Sequence, residues 1–525
     1  MADSATLVLP EWTELESKTG LDPLGMQNSG ILLYQALLPG ISNVTLRVRY
    51  YGLYAWLAWT YAQRVGDTNM KSWQRFVRRA EALYALVAFQ RGGESGVAGV
   101  QWAQSRLTEN TDEVIEFAED AEPGSPRYYL KQAWGAYGAA YASQLFEAGV
   151  YSQANAHELP VPSREIGEGL AQAFDQELGP LATLLFDIIQ RGSVARTELA
   201  TLMPITPSGI RLDSAERQLY QEMLFAHGPL QRAPDIERRH TLLLVLHLAD
   251  QLGRTPTSND MRWALYAGAD SLDNALTFEA AELDAQRQRW AIYQANDLTH
   301  VCLEALLKYT LDTLGEAPAG LPLARLLNIA VDALLGTQHA LPDNWKAFLN
   351  ATPMPSNAWS IAETHTEAAL SERVMRVARA VTPCRASDAW AALQLLAIVH
   401  QRGRVAHDGV TSAFGALDQS AFRSLYTEMR FLDQHEQLPF RGFIARLIEE
   451  RVVRRHLWIA LRKFRFQGDY TFLIETDEGV VRVRAKDGPV FTNPRLSPAI
   501  TFLDDIKLFS GKGLSDLGRA LTAAA

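Results

Sequence analysis

Apolar residues recur along most of the chain at the three- and four-residue spacing of an α-helix, and the runs end at clusters of Pro and Gly. The clearest breaks are EDAEPGSPR (119–127), ELPVPSRE (158–165), MPITPSG (203–209), LGEAPAGLP (314–322) and LNATPMPSN (349–357). Between them lie runs such as HTLLLVLHLADQLG and VCLEALLKYTLDTL, the second with Leu303, Leu306, Leu307 and Leu311 at helical spacing. The period changes only near the C-terminus. There YTFLIETDEGVVRVRAKDG (470–488) alternates around Asp477-Glu478-Gly479 as a β-hairpin does, and NPRLSPAITFLDDIKLF and LSDLGRALTA follow as two helices. The pattern predicts a mainly α, multi-helical fold with a small C-terminal α+β module, a hairpin with helices that is winged-helix-like. A prior of about 150 residues per domain suggests three or four units for 525 residues. The expected segments are 1–157 (aromatic-rich helices), 158–315 (central helices), 316–430 (a second helical region) and 431–525 (basic helix, hairpin and helices). No fixed-period repeat marks a solenoid.

One stretch, RVRYYGLYAWLAWTYAQR (47–64), carries six aromatic rings in eighteen positions. Its apolar run between Arg49 and Arg64 is shorter than the about 20 residues that span a bilayer. Tyr50, Tyr54, Leu57 and Tyr61 form one stripe, and Leu53, Trp56 and Trp59 fall on other sides. A helix apolar nearly all round is a buried helix. A second segment, YYLKQAWGAYGAAYASQLF (128–146), interleaves Trp134, Tyr137 and Tyr141 with Gly and Ala, so the two are expected to pack as core helices rather than to stack bases.

The apolar share of 47% and charged share of 21% are those of an ordinary globular chain. The net charge of −10 tells against attraction of nucleic acid or anionic membrane to the whole surface. Nine of the 50 cations are Lys and the rest Arg, a bias that decides nothing alone. The two cysteines, Cys302 and Cys384, form no C-x-x-C pattern, and the N-terminus has no basic segment followed by a long apolar one, so a reducing, cytoplasmic location is expected.

Local charge runs the other way between Arg441 and Arg465, where eight basic residues face only Glu449 and Glu450. On a helix over 451–465, Arg451, Arg454, Arg455, Trp458, Arg462 and Arg465 share one side. In the hairpin's second strand Arg482, Arg484 and Lys486 share one face. These nine residues are the candidate DNA or RNA contacts, with cations for phosphates and Trp458 for a base or ribose. The competing reading is a solvated face or a patch that pairs with acidic groups.

Arg402 and His407, in HQRGRVAHDG, fit the R-x4-H pattern of HEPN ribonucleases. In that family the pair, usually assembled across a dimer, assists attack of the RNA 2′-hydroxyl on the adjoining phosphate. Arg430 with His435 and Arg451 with His456 fit the same loose spacing, so the pattern discriminates poorly. Asp297, His300 and Glu304 share a helical face suited to a metal, yet no second helix offers a partner motif, and a hydrogen-bonded polar face is the plainer reading. His240 and His247 are read as structural or pH-responsive. FDIIQRGSVARTELATLMP (186–204) has the outline of a helix-turn-helix. GGESGVAG (92–99) lacks the Gly-Lys-Ser/Thr of a P-loop, and no G-x-S-x-G or H-E-x-x-H is present. Asp469, Glu475 and Lys486 do not complete a restriction-nuclease motif, because Arg484 stands where an acid belongs. No metal or cofactor is assigned.

The strings LDPLGMQ (21–27), LLPGISNVTLRVRYYGLYAWL (37–57) and KDGPVFTNPRL (486–496) resemble those of large uncharacterised proteins of bacterial anti-phage defence islands. The resemblance implies a subunit that works beside a helicase, nuclease or ATPase. The expectation is a non-catalytic scaffold or sensor that contacts DNA or RNA through its C-terminal basic module and has no membrane association. A HEPN-like ribonuclease using Arg402 and His407, and a protein-only adaptor, are the alternatives.

Overall fold

A computed structural model describes residues 22–109, 112–152, 159–225, 232–477, 479–511 and 513–523. The chain is mainly helical, as the periodicity predicts. It packs as two units, each drawn from discontinuous stretches: Met1–Ile31 with Ile292–Thr492 (unit 1), and Leu32–Ala291 with Asn493–Ala525 (unit 2). This grouping differs from the four consecutive segments expected from the sequence. The Pro- and Gly-rich breaks at 158–165 and 314–322 fall inside units rather than between them. Among the described residues no helix is long and apolar enough to cross a membrane.

In unit 2 the aromatic stretch forms α1 (Arg49–Arg64), and every residue from Arg49 to Ala58 is buried. The Tyr50 and Tyr54 rings lie 4.6 and 5.4 Å from that of Tyr141, and Tyr54 lies 5.3 Å from Tyr137. The pairing of the two aromatic segments is therefore present, with ring pairs that add about 0.5–1.5 kcal/mol each beyond area burial. The second segment is not one long helix. It has a π-helical turn over Tyr137–Tyr141 followed by Ala142–Glu147, and residues before it are turns. The fully buried Arg78 stands at the interruption: its guanidinium takes the carbonyls of Leu130 and Gln132, which a regular helix would have used internally, and that of Ala121 ahead of the segment.

Arg78 lies on α2 (Met70–Gln90), as does the equally buried Glu81. Four donors converge on Glu81: the hydroxyls of Tyr54 (2.7 Å) and Tyr129, and the backbone N–H groups of Ala136 (2.9 Å) and Tyr137 (2.7 Å). Burial pushes this carboxyl up to about 7, against the pull of those donors and of Arg78. Arg49 is buried in the same way and forks onto Glu216 of α3 (Ala215–Phe225), with Nε donating to Oε1 at 2.9 Å and Nη2 to Oε2 at 2.8 Å. The chain's last segment closes the unit. Arg47 Nη2 meets Asp505 Oδ1 at 2.7 Å, and Arg495 Nη1 donates to the Ile41 carbonyl at 2.7 Å.

Unit 1 is built around α4 (Ala281–Gly315), of which residues from Ile292 onward belong to it. The expected hairpin is present as β2 (Ile474–Asp477) and β3 (Val480–Val483), with Gly479 at φ +84° in its turn. A third strand, β1 (Leu321–Pro322), pairs antiparallel with β3 to give the order β1-β3-β2. The basic helix before the hairpin is α5 (Arg454–Gln467), entered through a π-helical turn over Leu447–Val453. The two helices after the hairpin, Leu496–Asp505 and Asp516–Ala523, belong to unit 2, so segment 431–525 does not fold as one winged-helix-like module.

Glu81 makes unit 2 sensitive to pH. Between pH 4.5 and about 7 the folded chain retains a proton on Glu81 that the unfolded chain has released. Its contribution is therefore complete below pH 4.5 and is lost as pH rises through about 7. We expect Glu81→Gln to be less stable and to flatten the fall of unfolding free energy across that window by up to about 1.4 kcal/mol per pH unit. Denaturant titrations of both proteins at several pH values check this, and parallel pH profiles would contradict it.

Candidate functional site

A ladder of charged side chains runs down one face of α4: Asp297, His300, Glu304, Lys308 and Asp312, at spacings of three, four, four and four. That spacing keeps them in line on a helix. The first four are buried, and Leu298, Val301, Leu303 and Leu306 bury the other faces of the same helix. Alternating sign makes the ladder tolerable. His300 Nδ1 stands 3.4 Å from Asp297 Oδ1 and its Nε2 stands 2.8 Å from Glu304 Oε1, while Lys308 Nζ donates to Asp312 Oδ2 at 2.6 Å. Burial works against the charge on His300, but Glu304 and Asp297 overcome it and hold the imidazole well above its usual value. Burial raises Glu304, opposed by His300.

The segment 486–492 lies along this ladder and supplies the missing partners. Lys486 Nζ donates to Asp312 Oδ1 at 2.7 Å, Val490 N–H to Glu304 Oε2 at 3.0 Å, and Thr492 N–H and Oγ1 to Asp297 Oδ1 at 3.2 and 3.0 Å. Cys384 N–H also donates to Asp312, which is lowered despite burial by that bond and by Lys308 and Lys486. Cys384 itself is a buried thiol pushed up to about 12.

The turn 22–25 reaches the same place. The Asp22 carboxylate accepts from the N–H groups of Met26 (2.9 Å) and Gln27 (3.0 Å), at the start of helix Gln27–Leu37. Three consecutive carbonyls of this turn are held by α5: Asp22 by Lys463 Nζ (3.1 Å), Pro23 by His456 Nδ1 (3.2 Å) and Leu24 by Arg455 Nε (3.0 Å). Since His456 Nε2 accepts from Leu473 N–H at 2.8 Å, its proton sits on Nδ1, and burial pushes the ring down to about 4. Gly25, at φ +69°, allows the turn to lie against Ile459, where a Cβ would come within 2.3 Å of its side chain.

The cations proposed for nucleic acid therefore divide. Arg455 is not on a solvent face: it is buried, stacked 4.5 Å from the Trp458 ring, and pushed down to about 9 by burial and by Arg423. Arg451 turns inward to Glu428 (3.4 Å) and to the Phe431 ring. Arg454 is exposed and pairs with Glu449 (2.5 Å). Arg482 pairs with Asp477 (3.1 Å), Arg484 with Glu475 (3.2 Å), and Lys486 with Asp312. Arg455, Arg462 and Arg465 are the cations among the nine with no carboxylate in ion-pair range among the described residues; Arg455 is buried on the Leu24 carbonyl, whereas Arg462 and Arg465 lie on the exposed side of α5 beside Trp458 and Phe466. Trp458 is 41% exposed and Phe466 75%. The sequence read α5 as charged on one side and apolar on another. Its inner face in fact carries Arg455, His456 and Lys463 because the turn 22–25 offers them carbonyl oxygens.

Arg402 ends the helix Ala386–Val405, where it pairs with the buried Glu367 and donates to the Pro355 carbonyl at 3.0 Å. His407 opens the next helix, His407–Phe414, with an exposed ring 3.5 Å from Thr411 Oγ1. The stretch 186–204 is helix, strand and helix, with Ser193–Ala195 paired to Val114–Glu116. Asp22, Lys308 and Asp312 went unassigned in the sequence. Lys308 and Asp312 were detectable as the continuation of the Asp297-His300-Glu304 spacing, whereas nothing local links Asp22 to them.

No protein-family model, curated protein or solved structure matches this chain.

The ladder is a set of buried charges whose partners are specific. We expect Asp312→Ala to destabilise the chain by about 3–5 kcal/mol, because Lys308 stays buried without its counter-ion. Replacing the pair together, Asp312→Leu with Lys308→Met, should recover most of that loss. Urea unfolding of the three proteins measures it, and an Asp312→Ala protein as stable as the parent would refute the assignment.

Proposed function

We propose that the chain is a scaffold or sensor subunit of a bacterial anti-phage defence assembly, and that it contacts single-stranded DNA or RNA through the exposed side of α5. The resemblance of strings near both ends supports the first part. The second rests on one observation: Trp458, Arg462, Arg465 and Phe466 are exposed together around a shallow cavity of about 380 Å³, with Leu461 and Ser420 at its edge. Aromatic faces stack bases at about 1–3 kcal/mol each, and arginine adds phosphate and cation–π contacts.

Magnitudes favour single strands over duplex. Duplex binders that neutralise six to ten phosphates need as many available cations. Here six of the nine sequence candidates are cations engaged within the chain, and the overall charge is −10. Two available arginines correspond to a slope of log affinity on log salt of roughly −1.4 for a single strand. Exposed Leu461 (56%) and Phe464 (49%) favour the protein-only adaptor as the second reading.

Fluorescence anisotropy of labelled single-stranded DNA, RNA and duplex across a salt series tests this. Trp458→Ala is expected to weaken single-strand binding by about 10-fold or more, and Arg462→Ala with Arg465→Ala to bring the salt slope near zero. Binding indifferent to these changes, or none at all, would overturn the nucleic-acid reading and leave the adaptor. RNA cleavage abolished by His407→Ala in a folded protein would instead favour the HEPN-like alternative.

A further inference from the structure

We propose that Asp22, His300 and Glu304 form a binding site for a divalent transition-metal ion of the zinc class. One ligand atom from each lies within 4.8 Å of the others, and all three side chains are buried. The donor set of one imidazole nitrogen and two carboxylate oxygens suits such an ion, and two carboxylates neutralise its charge.

Three further features point to a ligand rather than to an internal ion pair alone. Glu304 is 2% exposed, yet its Oε1 has no hydrogen-bond partner, although His300 Nε2 is only 2.8 Å away. The two atoms are close without the alignment of an N–H···O bond. Donors on one tetrahedral zinc ion at about 2.0–2.2 Å stand about 3.3–3.6 Å apart, between the 2.8 Å of His300 Nε2 and Glu304 Oε1 and the 4.8 Å that bounds the three atoms. The other ring nitrogen, Nδ1, faces Asp297, which is fixed by Thr492. A carboxylate behind the imidazole is the arrangement that presents Nε2 to a metal, and the ion then replaces any proton there, which leaves to solvent. Finally, Asp22, alone of the three, also lines a cavity of about 290 Å³ with Gly25, Ile459, Arg462, Lys463 and Phe466, so one residue of the cluster borders open space. Lys463 Nζ donates to the Asp22 carbonyl at 3.1 Å. Three protein donors leave a coordination position for water or another ligand.

The test is equilibrium dialysis of the folded, chelator-treated chain against Zn²⁺, with bound metal counted by atomic emission, and against Co²⁺, with its visible absorption recorded. One ion per chain is expected, with Co²⁺ bands of nitrogen and oxygen ligation. Glu304→Gln and Asp22→Asn should each lower Zn²⁺ affinity by at least about 10-fold, and Asp297→Asn, which removes the carboxylate behind the imidazole, by about 10- to 100-fold. Because Glu304 is buried, circular dichroism accompanies each variant, and the wild-type stoichiometry stands whether or not Glu304→Gln folds. A folded wild-type chain that retains no stoichiometric metal, or one whose binding survives Asp22→Asn unchanged, overturns the site.

Discussion

Burying a charge costs several kcal/mol unless an opposite charge and hydrogen bonds replace water, and unit 1 buries four ionisable groups on successive turns of α4. This constraint dictates much of what surrounds the helix. Asp297, Glu304 and Asp312 have acceptor positions left over after pairing with His300 and Lys308. The segment 486–492 meets them with two backbone N–H groups, a hydroxyl and a lysine. The turn 22–25 sets Asp22 against the same cluster and in turn draws Lys463, His456 and Arg455 to its carbonyls. Two short stretches far apart in the sequence, 22–27 and 486–492, thus meet at one helix.

Unit 2 uses arginine for the same purpose. Arg49, Arg78 and Arg238 are fully buried, and each spreads its fork over carbonyl oxygens or a carboxylate: Arg49 on Glu216 and Thr206, Arg78 on three carbonyls, Arg238 on Met223, Leu224 and Asp235. Lysine, with a compact and strongly hydrated charge, could not satisfy several planar acceptors at once. The excess of Arg over Lys, uninformative as a composition, thus has structural employment in this core.

How much the sequence disclosed depended on the range of the interaction concerned. The helices, the burial of α1 and the hairpin at 470–488 followed from local period and turn chemistry. Asp297, His300 and Glu304 were legible as one face because three and four residues place them so. What remained hidden was long-range. Arg455 looked like an outward cation because its acceptor, the Leu24 carbonyl, is 431 residues away. Arg78 stands where the expected helix at 128–135 is interrupted, and its contacts stayed hidden for the same reason, since no periodicity reports a carbonyl diverted to a distant guanidinium. The division of segment 431–525 between two units reflects where Arg47 and Asp505 meet, 458 positions apart.

The docking of residues 486–492 on α4 has a bearing on biosynthesis. Glu304 and Val490 are separated by 186 positions, which at about 5–20 residues per second is an interval of roughly ten to forty seconds on the ribosome. Throughout it α4 has emerged with carboxylates that lack their backbone donors, so the core of unit 1 stays hydrated until residues 486–492 have been made. The unit completes its packing only once that segment is present, and a chain truncated before residue 486 would carry a helix with charge where its core should be.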